Sequence, residues 1–247
     1  MRIYLLLFIL LLSIISCKRD KTYPPLVENS AMLRNDSLKP FYHGVASGDP
    51  EEDRVIIWTR VTPETQVPEI EGTWEVATDS TFQSIVNNGD FSTSPNQDYT
   101  VKIDVTKLDE GAIYFYRFKA LGATSQTGRT RTAAQNSSTL KLGVVSCSNY
   151  EWGYFNAYKH LAKEKDLQAV LHLGDYIYEY GTGTYGDTTT GRINIPKHEI
   201  ITLTDYRDRY AQYHLDKDLQ AVHARHPFIN IWDDHEISNN SYTTGAQ

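Results

Sequence analysis

Residues 169–178 read AVLHLGDYIY, an apolar run followed by a glycine, an aspartate and two tyrosines. The run has the length of a buried strand, and a glycine lets the chain turn sharply where the strand stops. Two more stretches share this pattern. Residues 140–147, LKLGVVSC, finish in Ser146 and Cys147, and residues 228–236, FINIWDDHE, finish in Asp233, Asp234, His235 and Glu236. The intervening segments are long enough to hold helices, so strand, crossover and strand predict parallel pairing, with the three carboxyl ends along one sheet edge. Ligand sites in open α/β sheets form at that edge. Thiol, carboxylate, phenol and imidazole meeting there are donors for a transition metal, with hard oxygen donors left for a second cation. The pattern predicts a hydrolytic metal centre.

Each side chain also has a plainer reading. Asp175 either bridges two cations or fixes a turn, as Gly-Asp pairs commonly do. Tyr178 binds as a phenolate only beside a strong Lewis acid such as ferric iron, and otherwise Tyr176, Tyr178 and Tyr180 alternate as packed strand residues do. Cys147 is either a thiolate ligand or a small apolar residue. Burying Asp233 to Glu236 without cations is costly, which points to Asp234 as a ligand and His235 as proton donor to a leaving oxygen. A helix amino terminus would explain the acids alone. Asn239 and Asn240 supply amide oxygens or form a turn. His160, His172, His214, His223 and His226 read as structural.

Upstream the pattern is β-rich. Residues 55–61, 73–78, 99–105, 113–120 and 126–132 are short strands separated by Gly, Asn, Asp and Pro turns. Leu108 followed by Tyr114, with Tyr116 and Phe118 alternating behind it, resembles the tyrosine corner of fibronectin-type sandwiches. We therefore expect an Ig/fibronectin-like β-sandwich over 41–135 and, after a polar boundary, an α/β unit over 139–247. There Trp152, Phe155, Tyr158, Leu161 and Ala162 fall at helical spacing, 205–214 forms a second helix, and the Gly- and Thr-rich 181–191 is a loop near the site.

The amino terminus has its own logic. Met1 and Arg2 precede a thirteen-residue apolar run ending at Ile15, too short to span a bilayer, so 1–16 reads as a signal peptide. Residues 14–17, IISC, resemble the lipobox of bacterial lipoproteins, which makes Cys17 a lipidation site and 17–40 a polar tether to a membrane in the bacterial cell envelope. With Cys17 acylated, Cys147, the second of two cysteines, has no disulfide partner. A formal net charge of -7 argues against a nucleic-acid groove and suits carboxylates gathered around cations.

Residues 41–50 (FYHGVASGDP), 54–60 (RVIIWTR), 145–158 (VSCSNYEWGYFNAY), 172–180 (HLGDYIYEY) and 231–240 (IWDDHEISNN) together resemble the amino-terminal part of PhoD-like alkaline phosphatases, within the calcineurin-like metallophosphoesterase superfamily. The resemblance implies a sandwich followed by the first part of an αββα-type phosphoesterase domain, whose remaining metal-binding residues lie farther along family members. It implies hydrolysis of a small phosphate ester, a phosphomonoester first and a phosphodiester second, at Fe3+ assisted by Ca2+. Carried over, Cys147, Asp175 and Tyr178 hold iron, Asp175 also reaches calcium, Asp234 and Asn239 are further ligands, and His235 is catalytic, with Asp233 an alternative to Asp234. The rival expectation is a lipid-anchored binding or structural module without catalysis.

Overall fold

The computed structural model describes residues 33–246, so the signal peptide and Cys17 lie outside the described residues. Among the described residues no helix is long and apolar enough to cross a membrane. The last part of the expected tether is packed: Leu33 is buried, and Asn35 caps a short turn at Asp36–Leu38.

Among the described residues eleven strands follow in two sheets. One sheet begins with β1 (Val45–Gly48), β2 (Val55–Arg60) and β5 (Thr100–Val105), all antiparallel. The other holds β3 (Ile70–Ala77), β4 (Ile85–Thr93), β6 (Ile113–Ala120), β7 (Ala123–Thr124) and β8 (Gly128–Arg131). Strand β6 shows why. In IYFYRFKA, Tyr114, Tyr116, Phe118 and Ala120 are buried at every second position while the intervening residues lie farther out. They meet Val45, Ile57 and Val101 of the facing sheet in one core. The Tyr114 hydroxyl accepts the Asp109 N–H at 2.8 Å.

Three of these strands escape sequence reading, among them the two-residue β7. β1 is four small or β-branched residues, and β4, IVNNGDFST, has both faces largely exposed, so it carries no alternation to detect.

The first sheet does not stop at β1. Gly48 pairs in parallel with Phe228 of β11 (Phe228–Asn230), which continues to β10 (Ala169–His172) and β9 (Leu142–Val145), giving the order β5-β2-β1-β11-β10-β9. The last three strands are mutually parallel, in the predicted layout. A Cβ on Gly48 would stand 2.9 Å from the Phe228 carbonyl oxygen, so the seam closes on a glycine. Across it, Trp58 stacks on His214 at 4.9 Å, the Arg129 N–H donates to the Ala224 carbonyl at 2.7 Å, and the Gln220 amide donates to the Tyr42 carbonyl at 2.9 Å.

Three helices belong to the α/β half. α1 (Asn156–Leu161) is shorter than the spacing predicts. Trp152 lies before it, in a turn, with its ring exposed, because Gly153 at φ 135° breaks the helical path. α2 (Leu203–His214) begins with a capping box in which Thr202 and Asp205 satisfy each other's backbone N–H groups. α3 (Lys217–His223) is capped by Asp216, which accepts from Asp218 and Leu219. Val170, Phe228, Tyr213 and Val222 pack a second core between the parallel strands and these helices. On the opposite sheet face Val144, Leu173, Ile229 and Ile231 are exposed.

Candidate metal centre

At the carboxyl ends of β9 and β10 the backbone takes unusual conformations. Cys147 has φ 58°, Gly174 φ 99° and Asp175 φ 53°. For residues with side chains the left-handed region carries strain that the surroundings must hold in place. Here the turns hold each other: the Cys147 N–H donates to the Gly174 carbonyl at 3.2 Å and the Ser148 N–H to the Asp175 carbonyl at 2.8 Å. Gly174 also abuts the third turn. A Cβ there would lie 2.4 Å from the Asp233 Cβ and 2.6 Å from its nitrogen, so only glycine lets the loops after β10 and β11 touch.

This lacing brings the side chains together. The Cys147 Sγ is 3.4 Å from Asp175 Oδ2, and the Tyr178 hydroxyl donates to the same oxygen at 3.1 Å. Ligand atoms of Asp175, Asp234 and His235 all lie within 4.8 Å of one another. Asp233 is more exposed than Asp234, and its Oδ1 accepts the Asp234 N–H at 3.0 Å. The Asn239 N–H is held by Glu179 Oε1 at 2.6 Å, and Asn239 is part-buried beside the same cluster. Tyr178 is not a strand residue. The segment after β10 is irregular, and Tyr176 and Tyr178 are both buried in it.

The donor set fits a cation. Asp175 is buried, and although Oδ2 has two partners, Oδ1 has no hydrogen-bond partner among the described residues. A buried carboxylate oxygen left unpaired costs about 1–3 kcal/mol or more, which a bound cation would offset. Burial first, and then the neighbouring Asp175 and Cys147, push the Tyr178 hydroxyl far above the usual phenol range. With only these neighbours it keeps its proton, and a strongly Lewis-acidic cation is the kind of group that reverses that preference.

Two glutamates organise the cluster: Glu179, which sequence reasoning misses, and Glu236, which it includes in the cluster without a role of its own. Glu236 accepts the N–H groups of Asp175 at 3.1 Å and Asp233 at 2.8 Å, and also that of Tyr176. Glu179 Oε2 lies 2.8 Å from His235 Nδ1. Both are buried, as is Glu151, which receives the N–H groups of Gly183 at 3.0 Å and Asn194 at 3.2 Å and so pins the 181–191 loop. Arg209 is fully buried and donates to the carbonyls of Ile195 at 3.1 Å, Pro196 at 3.0 Å and Tyr178. The detectable signal was an acid inside an aromatic run, IYEY, where an unpaired charge would be costly. His172, read as structural, is buried and joins two of the turns: its Nδ1 accepts the Gly174 N–H at 3.3 Å, and Nε2 meets Tyr158 at 3.0 Å and Ser148 at 3.3 Å.

An α/β sheet edge with a thiol, a phenol, carboxylates and an imidazole in one cluster defines a metal-site architecture. Residues 142–247 match the family described as PhoD-like phosphatase, and residues 28–134 match the PhoD-like phosphatase N-terminal domain. The chain is 43% identical over 215 residues to alkaline phosphatase D of Bacillus subtilis (strain 168), covering 83% of this chain and 37% of that protein. A solved structure titled "Structure of PhoD" superposes with a TM-score of 0.77 at 42% identity, over 83% of this chain and 41% of the other. The chain belongs to the PhoD-like phosphatase family. It spans 37% of the length of the curated relative.

Proposed function

We propose that this chain carries the metal-binding core of a phosphate-ester hydrolase, with a phosphomonoester as its first substrate class and a phosphodiester as its second. The observation that carries the reading is the convergence of Cys147, Tyr178 and the half-unpartnered carboxylate of Asp175 on one point, beside Asp234 and His235. The family relationship supports it, since the relative it matches is an alkaline phosphatase.

In this reading Cys147, Asp175 and Tyr178 hold Fe3+, and Asp175, Asp234 and Asn239 serve Ca2+. When bound, such cations polarise phosphoryl oxygens and lower the pKa of water. The chain's own residues do the rest. The Glu179 carboxylate accepts the Nδ1 proton of His235 and fixes the ring, so Nε2 is the nitrogen left to serve the leaving oxygen. Glu236 fixes the backbone of Asp175, and the interlocked turns keep the acids at the sheet edge.

The test is elemental analysis of the purified chain together with hydrolysis of p-nitrophenyl phosphate. Bound iron and calcium in a fixed ratio, both lost with activity in Asp175→Asn, is the expected result. A folded, metal-free and inert protein would instead fit a lipid-anchored binding module.

We further propose an exported lipoprotein anchored through Cys17, a reading supported by the IISC stretch after the apolar run. Labelled palmitate should enter the wild-type chain and not Cys17→Ser. The β-rich half we read as fibronectin-like, on the strength of the Tyr114 hydroxyl bond to the Asp109 N–H. Tyr114→Phe should then lower stability by about 1 kcal/mol, read from the denaturant midpoint.

A further inference from the structure

We propose that an exposed aromatic shelf beside Cys147 receives the organic part of the ester, and that the group it selects is an uncharged ring. The proposal rests on the phosphoester reading above and names the substrate class for that site.

A cleft of about 280 Å³ opens between the Cys147 turn and the segment leading into α1. It runs from Val145 to Tyr158, and Cys147 lies in its lining together with Trp152 and Tyr154. Trp152 is 58% exposed and Tyr154 67%, which is unusual for two large rings so close to a polar cluster. Gly153, at φ 135°, stands between them, and a Cβ there would meet nothing within 4 Å, so the turn opens onto free space.

The rings are held in place. Arg192 lies 3.7 Å from the Tyr150 ring centroid, 4.9 Å from that of Phe155 and 5.2 Å from that of Tyr154, and its charge is met by Asp216 at 2.9 Å. On the other side Trp152 meets Tyr185 at 6.0 Å with their planes 82° apart, forming a corner in which a flat group can lie against one ring and edge-on to the other. The Asn149 amide donates to the Tyr185 carbonyl at 2.9 Å and fixes that wall. From Tyr185 the rings continue inward, to Tyr178 at 6.1 Å and from there to His235 at 4.3 Å. Cys147 lines the cleft and also meets Asp175, so the shelf adjoins the centre where the phosphate would sit.

Its chemistry selects the occupant. Cys147 apart, the cleft is lined by Ser, Asn, Gly, Ala, Val and aromatic residues, with no acid or base among them. A charged leaving group would find no counter-ion there and would lose hydration, whereas a neutral ring gains stacking area.

The experiment is calorimetric titration of the purified chain with three non-hydrolysable probes: methylphosphonate, phenylphosphonate and 4-carboxyphenylphosphonate. Phenylphosphonate should bind about tenfold tighter than methylphosphonate, and the carboxylated ring should lose that gain. Trp152→Ala should bring phenylphosphonate to within about twofold of methylphosphonate while leaving methylphosphonate unchanged. Equal binding of all three, or a ring preference that survives in Trp152→Ala, overturns the shelf and leaves the phosphoester reading standing. Failure of every phosphonate to bind overturns that reading, and the shelf with it.

Discussion

Glu179 Oε2 sits 2.8 Å from His235 Nδ1, and the other oxygen of the same carboxylate holds the Asn239 N–H at 2.6 Å. One buried acid therefore sets both the ring of the proposed proton donor and the backbone of a proposed ligand. Glu179→Gln keeps the size and removes the carboxylate that accepts the His235 Nδ1 proton. Hydrolysis of p-nitrophenyl phosphate should fall about 10- to 100-fold in kcat with KM little changed. An unaltered kcat and an unaltered pH profile would remove Glu179 from the mechanism.

Gly174→Ala places a methyl group where Asp233 already stands, on backbone at φ 99°. The expected loss is about 3 kcal/mol, since neither loop can retreat without breaking the turn-to-turn bonds. Urea unfolding with a midpoint equal to wild type would contradict this packing.

Arg209→Leu strips donors from the carbonyls of Tyr178, Ile195 and Pro196 in the interior. Each orphaned buried carbonyl costs roughly 1–3 kcal/mol, so the chain should unfold at markedly lower denaturant. Retained stability would mean that water replaces the guanidinium.

Acid should destabilise the fold through its buried histidines. His172 and His226 are both fully buried, and burial lowers each from 6.5 to about 4, with Arg129 and Arg225 adding to the effect on His226. Above pH 6.5 both are neutral whether folded or unfolded. As pH falls from 6.5 toward 4, the unfolded chain takes up protons that the native state refuses, so stability drops across that window by on the order of 3 kcal/mol per histidine. Urea midpoints at pH 7, 5.5 and 4.5 measure the slope, and His226→Gln should flatten it.

The convergence of Cys147, Asp175 and Asp234 is legible in the sequence because strand period, glycine turns and parallel crossovers together dictate where strand ends meet. Glu179 and Glu236 are not. Their work depends on which N–H groups of other loops come to face them, and no local pattern encodes that. Helix α2 announces itself through the amphipathic spacing of 205–214, although its start at Leu203 and its Thr202 cap do not, while Trp152 fits a helical period by residue type and is turned outward by a single glycine. Strand β4 stays hidden because neither face is continuously apolar. The junction at Gly48 and Phe228 is equally silent, since one parallel pair between residues so distant in the chain leaves no periodic mark.

That junction decides how the molecule would come apart. The only covalent link between the β-rich half and the strands bearing the acids is the exposed stretch 134–141, yet a shared hydrogen-bond ladder, a stacked Trp58 and His214, and the Gln220 and Arg129 bonds also span it. A protease that nicks the connector would therefore release nothing: the two pieces would travel through a sizing column as one particle until denaturant pulled them apart.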